Sequence, residues 1–206
     1  MGWHHNDLTA ATGAPLPGLG QGRSAYAFEK QDTQHVIYVG RDLHINELWW
    51  DNGWHHNDLT VAAGAPLPSV NESISAYAFE DQGTQHVIYG GQDLHIKELW
   101  WDNGWHHNDL TVAAGAPLPS VDASISAYAF EDQGTQHLIY GGQDFHINEL
   151  WWDSDGWHHN DLTVAARAPL PSDESISAYA FEDQGTQHVI YVGQDSKIHE
   201  LWWAPD

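Results

Sequence analysis

The chain has no cysteine, and only six of its 206 residues are lysine or arginine. Without cysteine there is no disulfide frame, no thiolate nucleophile and no cysteine-based metal site, and the redox compartment stays open. Six cations against 29 acidic residues leave a net charge of −23 before any contribution from 16 histidines. Such a field repels phosphate backbones and anionic lipid, which excludes sequence-independent nucleic-acid binding and polybasic membrane anchoring. Long apolar runs are missing too. None approaches the roughly 18 residues of a bilayer span, so no membrane insertion is expected. The opening Met1-Gly2-Trp3-His4-His5 has neither a basic n-region nor an apolar h-region, so no signal peptide is expected and the compartment is left unassigned. Sustained helical periodicity is absent as well. What the chain does not lack is aromatic surface: 12 Trp, 8 Tyr and 5 Phe rule out a disordered acidic tail.

Those rings recur with a period. Gly-Trp-His-His-Asn-Asp-Leu-Thr begins at Gly2, Gly53, Gly104 and Gly156, and Glu-Leu-Trp-Trp begins at Glu47, Glu98, Glu149 and Glu200. Residues 53–103 and 104–154 differ at six positions. Near-identity at this spacing means four copies of one supersecondary module (2–52, 53–103, 104–155 and 156–206) within a single domain spanning 1–206. Each unit reads as four short β-segments, in the second unit Trp54–Thr60, Ser75–Glu80, Gln85–Tyr89 and His95–Trp101. Turn chemistry separates them: Asp81-Gln82-Gly83-Thr84, Gly90-Gly91-Gln92-Asp93, and the dipeptides Asn52-Gly53, Asn103-Gly104 and Asp155-Gly156 before the later Trp-His-His segments. The Ala-Pro-Leu-Pro stretch cannot sit inside a ladder and serves as the long connection between sheets.

Four strands per repeat around a shared axis predict an all-β fold, a β-propeller of four four-stranded antiparallel blades. The Asn-Gly hairpin makes Trp-His-His the outermost strand, paired with the preceding Glu-Leu-Trp-Trp. The first such strand then has no preceding partner and the last Glu-Leu-Trp-Trp no following one. The expectation is that the N-terminal strand Trp3–Thr9 completes the final blade and removes two exposed edges. The alternative is two chains forming an eight-bladed ring, a homodimer.

The frame Trp-His-His-Asn-Asp-Leu-Thr, Ala-Pro, Ser-Ala-Tyr, Gln-His-Val-Ile-Tyr-Gly-Gly and Asp-x-His-Ile-x-Glu-Leu-Trp-Trp resembles the blade repeat of PLL-type bacterial β-propeller lectins, which bind fucose. The resemblance covers the whole chain, four times over, and is more specific for the blade than for the ligand. Those lectins carry seven blades, so four copies are a departure. The resemblance implies glycan recognition without catalysis, in shallow pockets between adjacent blades, with fucosylated or O-methylated sugars as partners and no cofactor.

The residues offer a sugar-binding kit of their own: an aromatic face for the C–H side of a pyranose, with fixed polar groups for its hydroxyls. Side chains alternate along a strand, so Glu98 and Trp100 share a face. If Asp102–Gly104 is a three-residue connection, Trp101 lies opposite Trp105, Trp100 opposite His106, and Glu98 across from Asn108. If Asn103-Gly104 is a two-residue turn, the register slips and His107 and Asp109 join Glu98 instead. With the first register the candidate ligand-binding residues are Glu47, Trp49, His55 and Asn57, then Glu98, Trp100, His106 and Asn108, and then Glu149, Trp151, His158 and Asn160. Closure of the ring would add Glu200 and Trp202 with His4 and Asn6. Against this stands a bland reading. Trp in every blade packs between blades, and the Glu accepts a hydrogen bond from a Trp indole or a backbone amide. Adjacent histidines on a strand point to opposite faces and cannot chelate one ion, and no His-Glu-x-x-His spacing occurs, so no metal site is assigned. No nucleophile elbow, phosphate loop or dinucleotide fingerprint appears, and no catalytic residue is assigned. The last unit has drifted most: Lys197 stands where the others have His44, His95 and His146, and Arg167 replaces a connection glycine. Sites involving units one and four are expected to be weaker than those between units two and three.

Overall fold

The computed structural model describes residues 1–70, 73–121 and 123–205. Each repeat folds the same way. Short runs of β-branched and aromatic residues pair with their sequence neighbours, so every sheet is an antiparallel meander. The first sheet holds β1 (Arg23–Phe28), β2 (Thr33–Val39), β3 (Ile45–Trp50) and β4 (Trp54–Asp58), hydrogen-bonded in that order. The second holds β5 (Ile74–Phe79), β6 (Thr84–Gly90), β7 (Ile96–Trp101) and β8 (Trp105–Asp109). The third holds β9 (Ile125–Phe130), β10 (Thr135–Gly141), β11 (Ile147–Asp153) and β12 (Gly156–Asp161). The last has three strands among the described residues, β13 (Pro171–Phe181), β14 (Thr186–Gly193) and β15 (Ile198–Trp203). No helix among them is long and apolar enough to cross a membrane.

One local expectation is corrected. The Trp-His-His strand stops at the aspartate instead of running on through Leu-Thr. One helical turn follows: α1 (Leu8–Thr12), α2 (Leu59–Ala63), α3 (Leu110–Ala114) and α4 (Leu162–Ala166). The sequence carries both stop signals. Asp58 caps the turn by accepting from the Val61 amide at 3.0 Å, and Gly64 closes it at φ 62°. The turn's threonine then folds back on its own blade: Thr60 Oγ1 accepts from the Ile45 amide at 2.9 Å, as Thr111 does from Ile96 and Thr163 from Ile147. In the fourth helix Arg167 occupies the left-handed closing position at φ 52°.

The innermost strands pack side by side in chain order, β1 on β5, β5 on β9 and β9 on β13. Small residues in the Ser-Ala-Tyr-Ala-Phe run, such as Ser75, Ala76 and Ala78, allow that approach, while Phe28, Phe79 and Phe130 are fully buried. Serine, tyrosine and glutamate stitch neighbouring blades. Ser24 Oγ accepts from the Ala76 amide, Tyr26 donates to Gln85, and Glu80 accepts from the amides of Glu29 and Lys30. The same three links recur between the second and third blades and between the third and fourth. The core is a series of seam clusters. One joins Ile37, Ile45 and Leu59 to Ala76, Val87 and Leu99, with Trp105 against it. The next repeats it with Leu110, Leu150 and Trp157.

The closing strand is the second correction. No such packing joins β13 back to β1 among the described residues, so the four blades form an open arc. The leading segment before α1 is not a strand; it is exposed, and Trp3 is wholly so. Its anchor, α1, packs on β4 of the first blade, which holds the segment at the opposite end of the arc from β15. The outer edge of β15 has no partner strand among the described residues.

Candidate functional site

The hairpin that carries the sugar-binding candidates takes the three-residue connection. Glu98 lies across from Asn108, Trp100 from His106 and Trp101 from Trp105, and the first blade repeats this with Glu47–Asn57, Trp49–His55 and Trp50–Trp54. In the third blade Ser154-Asp155 stands where the others have one Asn, and the extra residue is absorbed by one more pair, Asp153 with Gly156, so Glu149–Asn160 and Trp151–His158 keep the same partners. Asn52 and Asn103 make the turn by adopting φ of 53° and 55°, a left-handed conformation that asparagine tolerates.

Three of the four proposed constellations therefore exist as side chains on one sheet face. Within each, the Trp indole stacks on the imidazole across the strand: Trp49 on His55 with centroids 5.0 Å apart, Trp100 on His106 at 5.0 Å and Trp151 on His158 at 4.1 Å. The three indoles are half-buried, which leaves part of each ring to solvent. The following Trp meets its neighbour edge-on, Trp50 with Trp54 and Trp101 with Trp105, both at 5.9 Å. The fourth constellation is not assembled. His4 and Asn6 lie in the exposed leading segment, away from Glu200 and Trp202, and Trp202 is 66% exposed.

The glutamate is held by a partner that sequence reasoning missed. Glu47, Glu98 and Glu149 are buried, and each is bound by a histidine of the neighbouring strand: His35 Nδ1 to Glu47 Oε1 and His86 Nδ1 to Glu98 Oε1 at 2.8 Å, His137 Nδ1 to Glu149 Oε1 at 2.9 Å. The other ring nitrogen meets Thr33, Thr84 or Thr135 at 2.8 Å. Each of these imidazoles also stacks on the inner tyrosine, Tyr26, Tyr77 or Tyr128, at 4.8–5.4 Å. Burial pushes those phenols up, with the adjacent glutamate adding to it, so they remain neutral donors to Gln85, Gln136 and Gln187. The alternating Gln-His-Val-Ile-Tyr strand, with His and Glu at matching positions in every repeat, was the available signal. The Thr–His–Glu chain fixes the floor of the seam from which Trp and Asn project.

The seam between the third and fourth blades opens as a cleft of about 520 Å³. Glu149, Trp151 and Asn160 line one wall, Ala165 and Ala166 of α4 the end, and Leu201 and Trp203 the facing wall. Trp202 also lines it, whereas His158 does not. In the two preceding seams the outer strand of the next blade stands in the corresponding place: Trp105 packs near Leu59 and Ala63, and Trp157 near Leu110 and Ala114. His107 Nδ1 meets the Ala63 carbonyl of α2 at 3.0 Å and so pins that strand to the neighbouring helix.

Among the described residues one group has donor atoms close enough to surround an ion: Asp93, His95 and Asp109. The Lys97 ammonium already bridges Asp93 at 2.7 Å and Asp109 at 2.6 Å, a cation supplied by the chain itself. Burial alone would raise Asp109, but the Lys97 ammonium and the Val112 amide hold it below the usual carboxylate range.

No protein-family model matches the chain, and no curated protein does either. Solved structures do. The lectin SapL1, solved in complex with α-methyl fucoside, superposes at a TM-score of 0.67 with 21% identity, over 89% of this chain and 59% of that one. The BP39L lectin of Burkholderia pseudomallei gives 0.70 and 17%, over 93% and 56%. The lectin of Aleuria aurantia, described as a six-bladed β-propeller with a novel fucose recognition mode, gives 0.62 and 17%, over 90% and 60%. At these identities the likeness defines a fold: the chain is an arc of β-propeller blades. It spans a little over half the length of each of these proteins.

Proposed function

We propose that the protein is a multivalent lectin that binds fucose-like sugars in the seams between adjacent blades and performs no catalysis. The observation that carries this reading is the half-exposed indole stacked on a histidine beside an asparagine, repeated at corresponding places on three blades. A pyranose laid against the indole would present its hydroxyls to Asn57, Asn108 or Asn160 and to the imidazole edge. The indole face would take the C–H groups. The glutamates, buried and held by histidine, serve as floor. Near-identical sites suit repeated weak binding, in which affinity comes from several sites engaging one branched glycan or cell surface. The fold shared with lectins crystallised with fucosides supports the choice of sugar. Titration calorimetry with α-methyl-L-fucoside is the test. Binding should weaken on Trp100→Ala with the fold retained, and heat absent from the unsubstituted protein would overturn the reading.

A further inference from the structure

Every link between neighbouring blades has a giving half and a receiving half, and the arc leaves one set of each unused at its two ends. At the trailing end Tyr179 is exposed and its hydroxyl has no hydrogen-bond partner among the described residues, whereas Tyr26, Tyr77 and Tyr128 each donate to a glutamine of the next blade. At the leading end Gln34, the equivalent of those glutamines, is exposed, and its side chain has no hydrogen-bond partner among the described residues. The Glu29 carboxylate likewise has no hydrogen-bond partner among the described residues, while Glu80, Glu131 and Glu182 each cap the preceding blade.

The outer edge tells the same story. Ile45, Ile96 and Ile147 are fully buried under the threonine of the next helical turn, yet Ile198 is 78% exposed. Trp54, Trp105 and Trp157 each pack in a seam cluster, but the cluster of Leu162, Ala168 and Leu201 has no such ring among the described residues, and Trp3 is wholly exposed. Lys197, exposed just before β15, stands where His44, His95 and His146 bind Asp58, Asp109 and Asp161; the equivalent aspartate on the missing strand is Asp7.

We infer that the chain self-associates head to tail: Trp3–Asp7 of one copy adds to β15 of another as its fourth strand, with Trp3 seated in the open cleft of the last seam. The register follows from the other three blades, Trp3 opposite Trp203 and Asp7 opposite His199. The first blade of the donor then follows the last blade of the acceptor, which brings Tyr179 to Gln34 and the Glu182 amide to the Glu29 carboxylate. The donor segment cannot serve its own chain in this arc, because α1 holds it against the first blade. The donated strand also walls the third seam and creates a fourth, so Glu200 and Trp202 meet His4 and Asn6 only across a copy boundary. Such an interface is heterologous; it closes into a ring when the rotation per copy allows and otherwise extends as a spiral.

Sedimentation equilibrium tests this without reference to sugar. The protein should associate with rising concentration to multiples of its 23.0 kDa mass. Trp3→Ala, which removes a wholly exposed side chain, should return it to 23.0 kDa with its circular dichroism unchanged. A free peptide of residues 1–13 should compete and lower the mass of the unsubstituted protein. A mass of 23.0 kDa at every concentration would overturn the inference, and so would an unchanged mass for the Trp3→Ala protein. A monomer in which Trp3 is shielded from a fluorescence quencher would assign the strand to its own chain instead.

Discussion

The first residue of each helical turn supplies an internally controlled measurement, because one leucine occurs in four settings. Leu59 and Leu110 are fully buried, each under the outer-strand Trp of the following blade, whereas Leu162 lies at the open cleft and is only partly covered. Leucine-to-alanine truncation in a closed core costs the transfer free energy of the lost carbons plus a cavity penalty, about 3 kcal/mol for a site that relaxes little. At a site already open to water both contributions shrink, to roughly 1 kcal/mol. Leu110→Ala should therefore lower the urea midpoint about three times as far as Leu162→Ala, provided the slope of the transition is unchanged. The comparison belongs in a Trp3→Ala background, which keeps the chain as single copies. Tryptophan fluorescence reports the transition, since every blade carries rings at its outer strands. Equal losses for the two variants in that background would refute the reasoning, since the same deletion would then meet the same packing with and without a covering strand. In the unsubstituted protein at high concentration the gap should narrow, because a donated strand would cover Leu162 as Trp157 covers Leu110.

Other outcomes follow from single residues. Arg167→Gly should stabilise the chain by about 1 kcal/mol, as a left-handed backbone costs a side chain that much more than glycine; thermal melting checks it. His86→Ala should leave Glu98 buried without its partner and cost about 2 kcal/mol, against little for His106→Ala on the exposed edge; paired urea titrations compare them. The His146–Asp161 pair sets a pH window. Its hydrogen bond to the Asp161 carboxylate holds the imidazole above its ordinary range. Burial would raise the carboxylate, but the bonds from His146 and Val164 hold it below its own range. The imidazole's contribution is complete below its unfolded value of about 6.5 and fades as pH rises through the raised folded value. The carboxylate's contribution is complete above about 3.9 and fades on acidification. The destabilisation caused by His146→Ala should thus be largest near pH 5 and decline toward pH 8; a cost independent of pH would refute it.

Much of this arrangement was legible in the sequence, and for identifiable reasons. Repetition fixed the module length, and the period-two pattern with Gly and Asn turns located the strands. The rule that adjacent segments pair then placed Trp-His-His outermost. The pairing of Glu98 with Asn108 and Trp100 with His106 was one of two open registers, and only the backbone of Asn103 in the left-handed region decides between them. The helical turn after each Asp was hidden because Leu-Thr-Val-Ala-Ala is too short to show periodicity, although its aspartate cap and glycine stop were both visible. The glutamate's partner was hidden because His86 and Glu98 lie on neighbouring strands twelve residues apart, and the hydrogen bond depends on a face assignment that composition does not reveal. Closure was misjudged for a different reason. Complementary edges state which surfaces match, but the curvature set by Ala-Tyr-Ala packing at the axis decides whether the matching surfaces of one chain can meet.

That distinction also explains where the repeats diverge. An interior unit has a neighbour on each side, so its residues must fit both, and units two and three are nearly identical. Several changes in unit four fall at or beside β15 and α4, the elements that bound the open seam: Ser196 and Lys197 in the turn before β15, His199 on it in place of Asn148, and Arg167 at the helix stop. Lys197 and His199 both keep close to Asp195, at 3.1 and 2.9 Å, and these two bonds hold that carboxylate low, at about 2. The exchange of histidine for lysine places a permanent cation beside the position of Asp7, where an imidazole carries charge only when protonated. An incoming strand that bears His4, His5 and Asp7 would then meet a fixed positive charge on an otherwise acidic edge. Electrostatic guidance of this kind raises association rates and orients the register more than it tightens the finished contact. Lys197→Gln should accordingly slow the assembly of copies and make it less sensitive to salt, while dissociation, governed by the burial of Trp3, changes little. Stopped-flow light scattering at two ionic strengths separates the two effects, and a faster dissociation with unaltered association would assign Lys197 to the packed contact instead.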